Sequence, residues 1–363
     1  MSTEPLKIDV AQSIPVFMDN ERTPYGIACI LFASRLARDR FNVLNHFSTF
    51  NWIDSVDPIP TPIETPIADL MDKRALEFSG KSIALQWSGG VDSTALLLSF
   101  IKNGFSKEDL VIFYDKNSIE EYPKLHSWLQ EQGYNLQLVK SWQKALASTE
   151  ADVIINGWCA DQLFGSMFFH KAHDKYFYTI EELLASLSFP FGVLTESEIK
   201  DFSKVYKDMG KKLFGFDINL ASQFGWLINF CLKWTWVSTY NDLFLLETPA
   251  YGKTHCFYNT EYFQAWSLGN FPNIEKFNIY GKDTLYYKKE LKEYCNSIFP
   301  DPDFLENKTK VPSWNASIST KTQIDYRLVI KTNNGYDIFY VPIVKNGNSN
   351  TTLYEALFTK YKK

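Results

Sequence analysis

The sequence is short of the residues that build metal clusters, disulfide frameworks and membrane spans. Its five cysteines (Cys29, Cys159, Cys231, Cys256 and Cys295) are scattered without a Cys-x-x-Cys pair. An odd, unpaired set excludes a zinc or iron–sulfur framework and fits a reducing compartment, so the expected location is cytoplasmic. Histidine is scarce too: His170 and His173 share a helix face by their spacing, but two histidines alone make no metal site. There is no basic excess. A net charge of −5 gives no long-range attraction for nucleic acid, and only a local basic patch stays open. The longest uncharged stretch near a helix, Ile218 to Leu232, is too short to cross a bilayer and stops at Lys233. Met1-Ser2-Thr3-Glu4-Pro5 lacks the basic-then-apolar pattern of a signal peptide, so no membrane partner is expected. A Gly-x-x-x-x-Gly-Lys run is also missing, which excludes the Walker loop of kinases and GTPases.

What the chain does have is Ser88-Gly89-Gly90-Val91-Asp92-Ser93, set between an apolar run (Ser82 to Trp87) and a second one (Thr94 to Ile101) that stops near Gly104. The first run reads as a buried strand and the second as a helix packed on a sheet. A strand, a loop of small residues and a helix make an anion site. Two glycines let the backbone approach a ligand, and the N–H groups of the first helical turn point at it. Ser88 and Ser93 add hydroxyl donors. Asp92 is the odd member, because a carboxylate beside phosphates repels them unless a cation lies between. Mg²⁺ is therefore inferred, since it suits carboxylate and phosphate oxygens together.

Strand–helix alternation continues from Lys81, with strands read at 110–114, 136–139 and 152–155 and helices at 119–132 and 142–147. The pattern predicts an α/β fold: a Rossmann-like parallel sheet with helices on both faces. In such sheets ligands lie beyond the C-terminal strand ends, so the loops after strands one, two and four should form the site. Before the sheet stand a helical stretch at 28–41, the Pro-rich connector Pro58 to Pro66 and a helix at 68–78. After Asp161 the character turns helical. Thr195-x-x-Glu198 is a capping box opening a helix over 199–213. Residues 219–246 are apolar nearly all round, as in a buried helix or helix pair, and 284–295 reads as another helix. The tail reads as a β-hairpin turned at Asn333-Asn334-Gly335. High aromatic content, 16 %, suits large rings in helix packing or stacking on a planar ligand.

Ser88–Ser93 resembles the PP-loop of the ATP pyrophosphatase superfamily. A second run, Asn156-Gly157-Trp158-Cys159-Ala160-Asp161-Gln162-Leu163-Phe164-Gly165, is similar to the Gly-x-Gly-Ala-Asp-Glu-Leu-Phe-Gly-Gly motif of the asparagine synthetase C-terminal domain and of related β-lactam and macrolactam-forming enzymes. The resemblance covers about 68–315, with 1–67 as an N-terminal extension and 316–363 as a hairpin extension. It implies an AMP- and pyrophosphate-forming ligase that adenylates a substrate carboxylate and forms an amide with ammonia or an amine. Carried over, Asp92 and Asp161 hold Mg²⁺ on the pyrophosphate, and Lys308 or Lys310, in Asn307-Lys308-Thr309-Lys310-Val311-Pro312, neutralises the α-phosphate. On the residues alone, Asp161 also reads as a helix N-cap and either lysine as a solvated turn residue.

ATP is expected across Trp87, Ser88, Gly89, Gly90, Val91, Asp92, Ser93 and Gly157, with adenine near Gln86, Trp87, Phe113 and Tyr114 and contacting backbone more than specific side chains. The acceptor is expected against Trp158, Cys159 and Met167. Three departures bear on that acceptor. Trp158 stands where asparagine synthetases carry a glutamate acting in the second half-reaction, Met167 replaces a tyrosine, and Gln162 replaces the glutamate after the metal aspartate. The glutaminase half needs a cysteine after the initiator methionine, and Ser2 is there instead. The expected partners are thus a small-molecule, peptide or nucleotide acceptor and a separate source of ammonia or amine. Two other readings stay open: amination or thiolation of a nucleobase carbonyl, and a nucleotide-binding module whose catalytic residues have drifted.

Overall fold

The computed structural model describes residues 40–41, 58–165, 178–186, 195–234, 237–238, 245, 248–270 and 288–308, and the backbone of 326–332 and 335–341. The chain divides into two units. One comprises Pro60–Tyr176 and Asn241–Ser319, the other Met1–Ile59, Phe177–Tyr240 and Thr320–Lys363.

From the start of the described chain the elements run α1 (Ile67–Leu76), β1 (Ile83–Gln86), α2 (Val91–Lys102), β2 (Leu110–Tyr114), α3 (Lys116–Glu121), α4 (Pro123–Glu131), β3 (Asn135–Leu138), α5 (Trp142–Ala147), β4 (Val153–Asn156) and α6 (Ala160–Leu163). Then follow α7 (Ile180–Ser186), α8 (Glu196–Phe214), α9 (Ala221–Ile228), β5 (Thr254–Cys256), α10 (Glu261–Asn270), α11 (Lys289–Ile298), α12 (Pro302–Asn307), β6 (Tyr326–Thr332) and β7 (Gly335–Val341). The protein is α/β, with a five-stranded sheet in the order β3-β2-β1-β4-β5. Every pairing in that sheet is parallel.

Both sheet faces are covered, as an all-parallel sheet requires. Ala84, Phe113 and Ile154 pack on one side with Val139, Leu146, Ala151, Leu245 and Ala250. Ile83, Leu85, Ile112 and Ile155 face the other side by strand alternation and are fully buried as well. Helices α1, α2 and α11 pack on one another. The chain leaves β1 towards β2 and β3, then returns to place β4 on β1's other flank. The crevice where the order reverses is therefore at the carboxyl ends of β1 and β4.

Two elements depart from the sequence reading. The helix expected over 119–132 is two helices, because Pro123 brings no N–H and restricts Tyr122, which sits at φ −147°, ψ 72°. Asp115 opens the first with a reciprocal capping box to Ser118, and Pro123 starts the second. The short edge strand β5 was not foreseen; three residues carry too little pattern to read.

In the other unit, the capping box at Thr195 and Glu198 forms as expected, and Gly215 ends α8 at φ +76°. All eight residues of α9 are buried, and a π-helical turn, Asn229–Lys233, continues it. Arg40 is buried there with its guanidinium over the rings of Phe41, Phe230 and Trp234 at 4.9, 5.2 and 4.9 Å. β6 and β7 form the expected antiparallel hairpin; its turn residues, Asn333 and Asn334, lie outside the described residues. Among the described residues no helix is long and apolar enough to cross a membrane.

Candidate functional site

The loop after β1 is folded by its own side chains. The Trp87 amide donates to the Phe113 carbonyl at 2.9 Å, carrying the ladder one residue past the strand. Ser88 N–H donates to Ser93 Oγ at 3.1 Å, the two serine hydroxyls lie 2.9 Å apart, and Ser93 Oγ reaches the Gly90 carbonyl at 3.2 Å. Gly89 has φ +76°, and a Cβ there would lie 2.5 Å from the Ser118 carbonyl oxygen, so only glycine fits. Helix α2 then starts at Val91, with Asp92 in its first turn.

The loop after β4 backs directly onto that turn. A Cβ on Gly157 would lie 3.1 Å from Ser93 N and 3.2 Å from Asp92 Cβ. Asn156 Oδ1 accepts from the Trp158 amide at 3.0 Å. Cys159 follows in the left-handed region, φ +74°, at the position where the resembling motif has its second glycine. This turn points α6 so that Asp161, in its first turn, faces Asp92. Asp161 is not a cap: the residue preceding the helix is Cys159, which makes no capping bond.

The carboxylates meet on a residue that sequence reasoning missed. Lys288 Nζ donates to Asp92 Oδ1 and Oδ2, each at 2.6 Å, and to Asp161 Oδ1 at 2.5 Å. The Lys288 side chain is 4 % exposed, whereas the Asp92 and Asp161 side chains are 25 % and 35 % exposed. Burial by itself would push the Lys288 amine down; Asp161 and Asp92 outweigh it and hold its pKa above the ordinary lysine value. Its backbone is left-handed, φ +55°, where a residue with a side chain is disfavoured by about 1–2 kcal/mol. Behind Asp92, fully buried Tyr258 donates its hydroxyl to the Asp92 carbonyl at 2.9 Å. No local pattern signals Lys288 or Tyr258, which stand 196 and 166 residues from Asp92.

Lys308 is placed elsewhere. Its ammonium donates to Glu121 Oε1 at 2.6 Å and to the Glu121 carbonyl at 2.8 Å, at the end of α3 whose Ser118 and Glu121 abut Gly89. Burial pushes its pKa below the ordinary value, and the attraction of Glu121 does not make up the difference. Lys292 donates to the Lys308 carbonyl at 3.1 Å and is pushed down by burial and by the charge of Lys308. Lys310 and Met167 lie outside the described residues.

Some expected side chains point away from a ligand. Trp87 is fully buried, donates from Nε1 to Thr94 Oγ1 at 3.1 Å and stacks on His126. Phe113 is in the core and Tyr114 is buried against His126, so none of these three rings offers an open face for adenine. Residues at the end of a doubly covered sheet leave backbone rather than ring faces there. Cys159 is buried, and Trp158 and Gly157 are half-buried.

The fold and these groups define a parallel α/β protein whose two strand-end loops at the order reversal present a carboxylate pair beside a serine- and glycine-rich turn. Compared with models of known protein families and with curated proteins, the chain matches none.

Proposed function

We propose that the chain is an ATP-dependent ligase of the PP-loop type, joining a substrate carboxylate to ammonia or an amine with AMP and pyrophosphate as co-products. The observation that carries the reading is the convergence of Asp92 and Asp161, from the two resembling motifs, on one positive charge beside Ser88–Ser93. The donor set fits a hard divalent cation, because two carboxylates already gather a cation at one point. Among the described residues no third His, Cys, Asp or Glu joins them, so phosphate oxygens and water would complete its shell. Mg²⁺ held there would neutralise charge on the departing pyrophosphate.

The chain's own residues do the rest. Ser88, Ser93 and the first-turn N–H groups of α2 hold phosphate oxygens, and Gly89 and Gly157 keep the loops close enough to share them. Lys288 adds a buried positive charge to the same place. Trp158, next to Asp161, lines the acceptor side; it carries no basic atom, so the amine's proton leaves to another group or to solvent. Incubation with ATP, Mg²⁺ and panels of carboxylates and amines tests the proposal: AMP and pyrophosphate in equal amounts support it. The second reading, a nucleotide-binding module without turnover, is favoured by the lysine already lying across the carboxylates; it predicts ATP binding with no AMP formed.

A further inference from the structure

The same two carboxylates that suit a divalent cation already hold an ammonium. Both oxygens of Asp92 lie 2.6 Å from Lys288 Nζ, so no oxygen of that carboxylate stands apart from the lysine. A dication drawn to these oxygens meets the positive charge of Lys288 at close range. The lysine side chain lies behind, 4 % exposed, and the two aspartate side chains are reachable from solvent, 25 % and 35 % exposed. The backbone of Lys288, φ +55°, is held in a disfavoured region, so its ion pairs pin it there.

We propose that Lys288 is a tethered counter-cation of the Asp92–Asp161 pair, competing with divalent metal for the same oxygens. The pair is thereby kept closed to metal alone. This rests on reading Asp92 and Asp161 as cation ligands, as in the proposed function. A lysine with a purely structural role would stabilise the fold without setting metal affinity.

The probe is Mn²⁺ alone, without nucleotide, titrated by calorimetry and by the loss of its free-ion paramagnetic resonance signal. Wild type should bind weakly at this site. Lys288→Met should bind one Mn²⁺ about tenfold or more tighter. Lys288→Gln, which keeps N–H donors for both carboxylates but no charge, should do the same if the Met variant is too unstable to titrate. Adding Asp161→Asn to either variant should remove the gain. Affinities equal to or weaker than wild type in the folded variants overturn the proposal. Pyrophosphate exchange by wild type separates the two readings. Exchange without a change in Mn²⁺ affinity ends the counter-cation role alone; tighter Mn²⁺ binding without exchange ends the ligase reading alone.

Discussion

Lys288 lies between two carboxylates carried by different strand-end loops, whereas Lys308 pairs with one, Glu121 at the end of α3. Both lysine side chains are nearly inaccessible, 4 % and 9 % exposed. Their pKa values nevertheless move in opposite directions, up for Lys288 and down for Lys308. Burial acts the same way on both; the second carboxylate makes the difference. A lysine held by one carboxylate closes a local pair. A lysine held by two joins loops that leave different strands.

Truncating one partner of the simpler pair should have the largest effect on stability. Glu121→Gln strands the buried Lys308 ammonium and should lower unfolding free energy by about 3–5 kcal/mol, measured by denaturant titration. A loss under about 1 kcal/mol would show that the pair is solvated and the contrast with Lys288 mistaken. Lys288→Met should cost less, about 1–3 kcal/mol, because water reaches the outer sides of its two carboxylates. The two lysines should also part in their response to metal: millimolar Mn²⁺ should raise the melting temperature of Lys288→Met and leave that of a Lys308→Met variant where it was.

Much of this arrangement was legible in the sequence, and the reasons it was not fully so are local. The serine–glycine loop, the strands on either side of it and the β4 loop stand out because small residues and apolar runs are short-range signals. The pairing of Asp92 with Asp161 comes from the resemblance of both runs to family motifs, and their places after strands of one parallel sheet are compatible with it. Lys288 could not be found, since it lies 196 residues from Asp92, joined to it only by the packing of α2 and α11. The Trp87 ring, on the first residue after a central strand, faces the core, where Thr94 takes its N–H.

Cys159 supplies a smaller test of how the carboxylates are aimed. Its left-handed backbone turns α6 so that Asp161 faces Asp92. Cys159→Val, β-branched at φ +74°, should lose about 1–3 kcal/mol, whereas Cys159→Gly should stay within about 1 kcal/mol of wild type. Equal losses would mean that the buried thiol, not the backbone, matters there. The smallest effect expected is on the pH dependence of stability, and it differs in sign between the two lysines. Lys288 is raised in the folded state, so its contribution is complete below the unfolded value of about 10.5 and is lost as pH climbs through the folded value. Lys308 is lowered, so the folded chain sheds that proton first and stability relative to Lys308→Met should rise with pH up to about 10.5. Denaturant midpoints of each variant and wild type between pH 8 and about 11 check both slopes.

The central claim is that Asp92 and Asp161 act together on ATP, with the loop Ser88–Ser93 holding its phosphates. ATP–pyrophosphate exchange, run with Mg²⁺ and the acceptor found by screening, tests it most directly in wild type, Asp92→Asn and Asp161→Asn. Exchange in wild type and a fall of about 100- to 1,000-fold in each folded variant is the predicted result. Exchange at the wild-type rate in either variant would contradict the account.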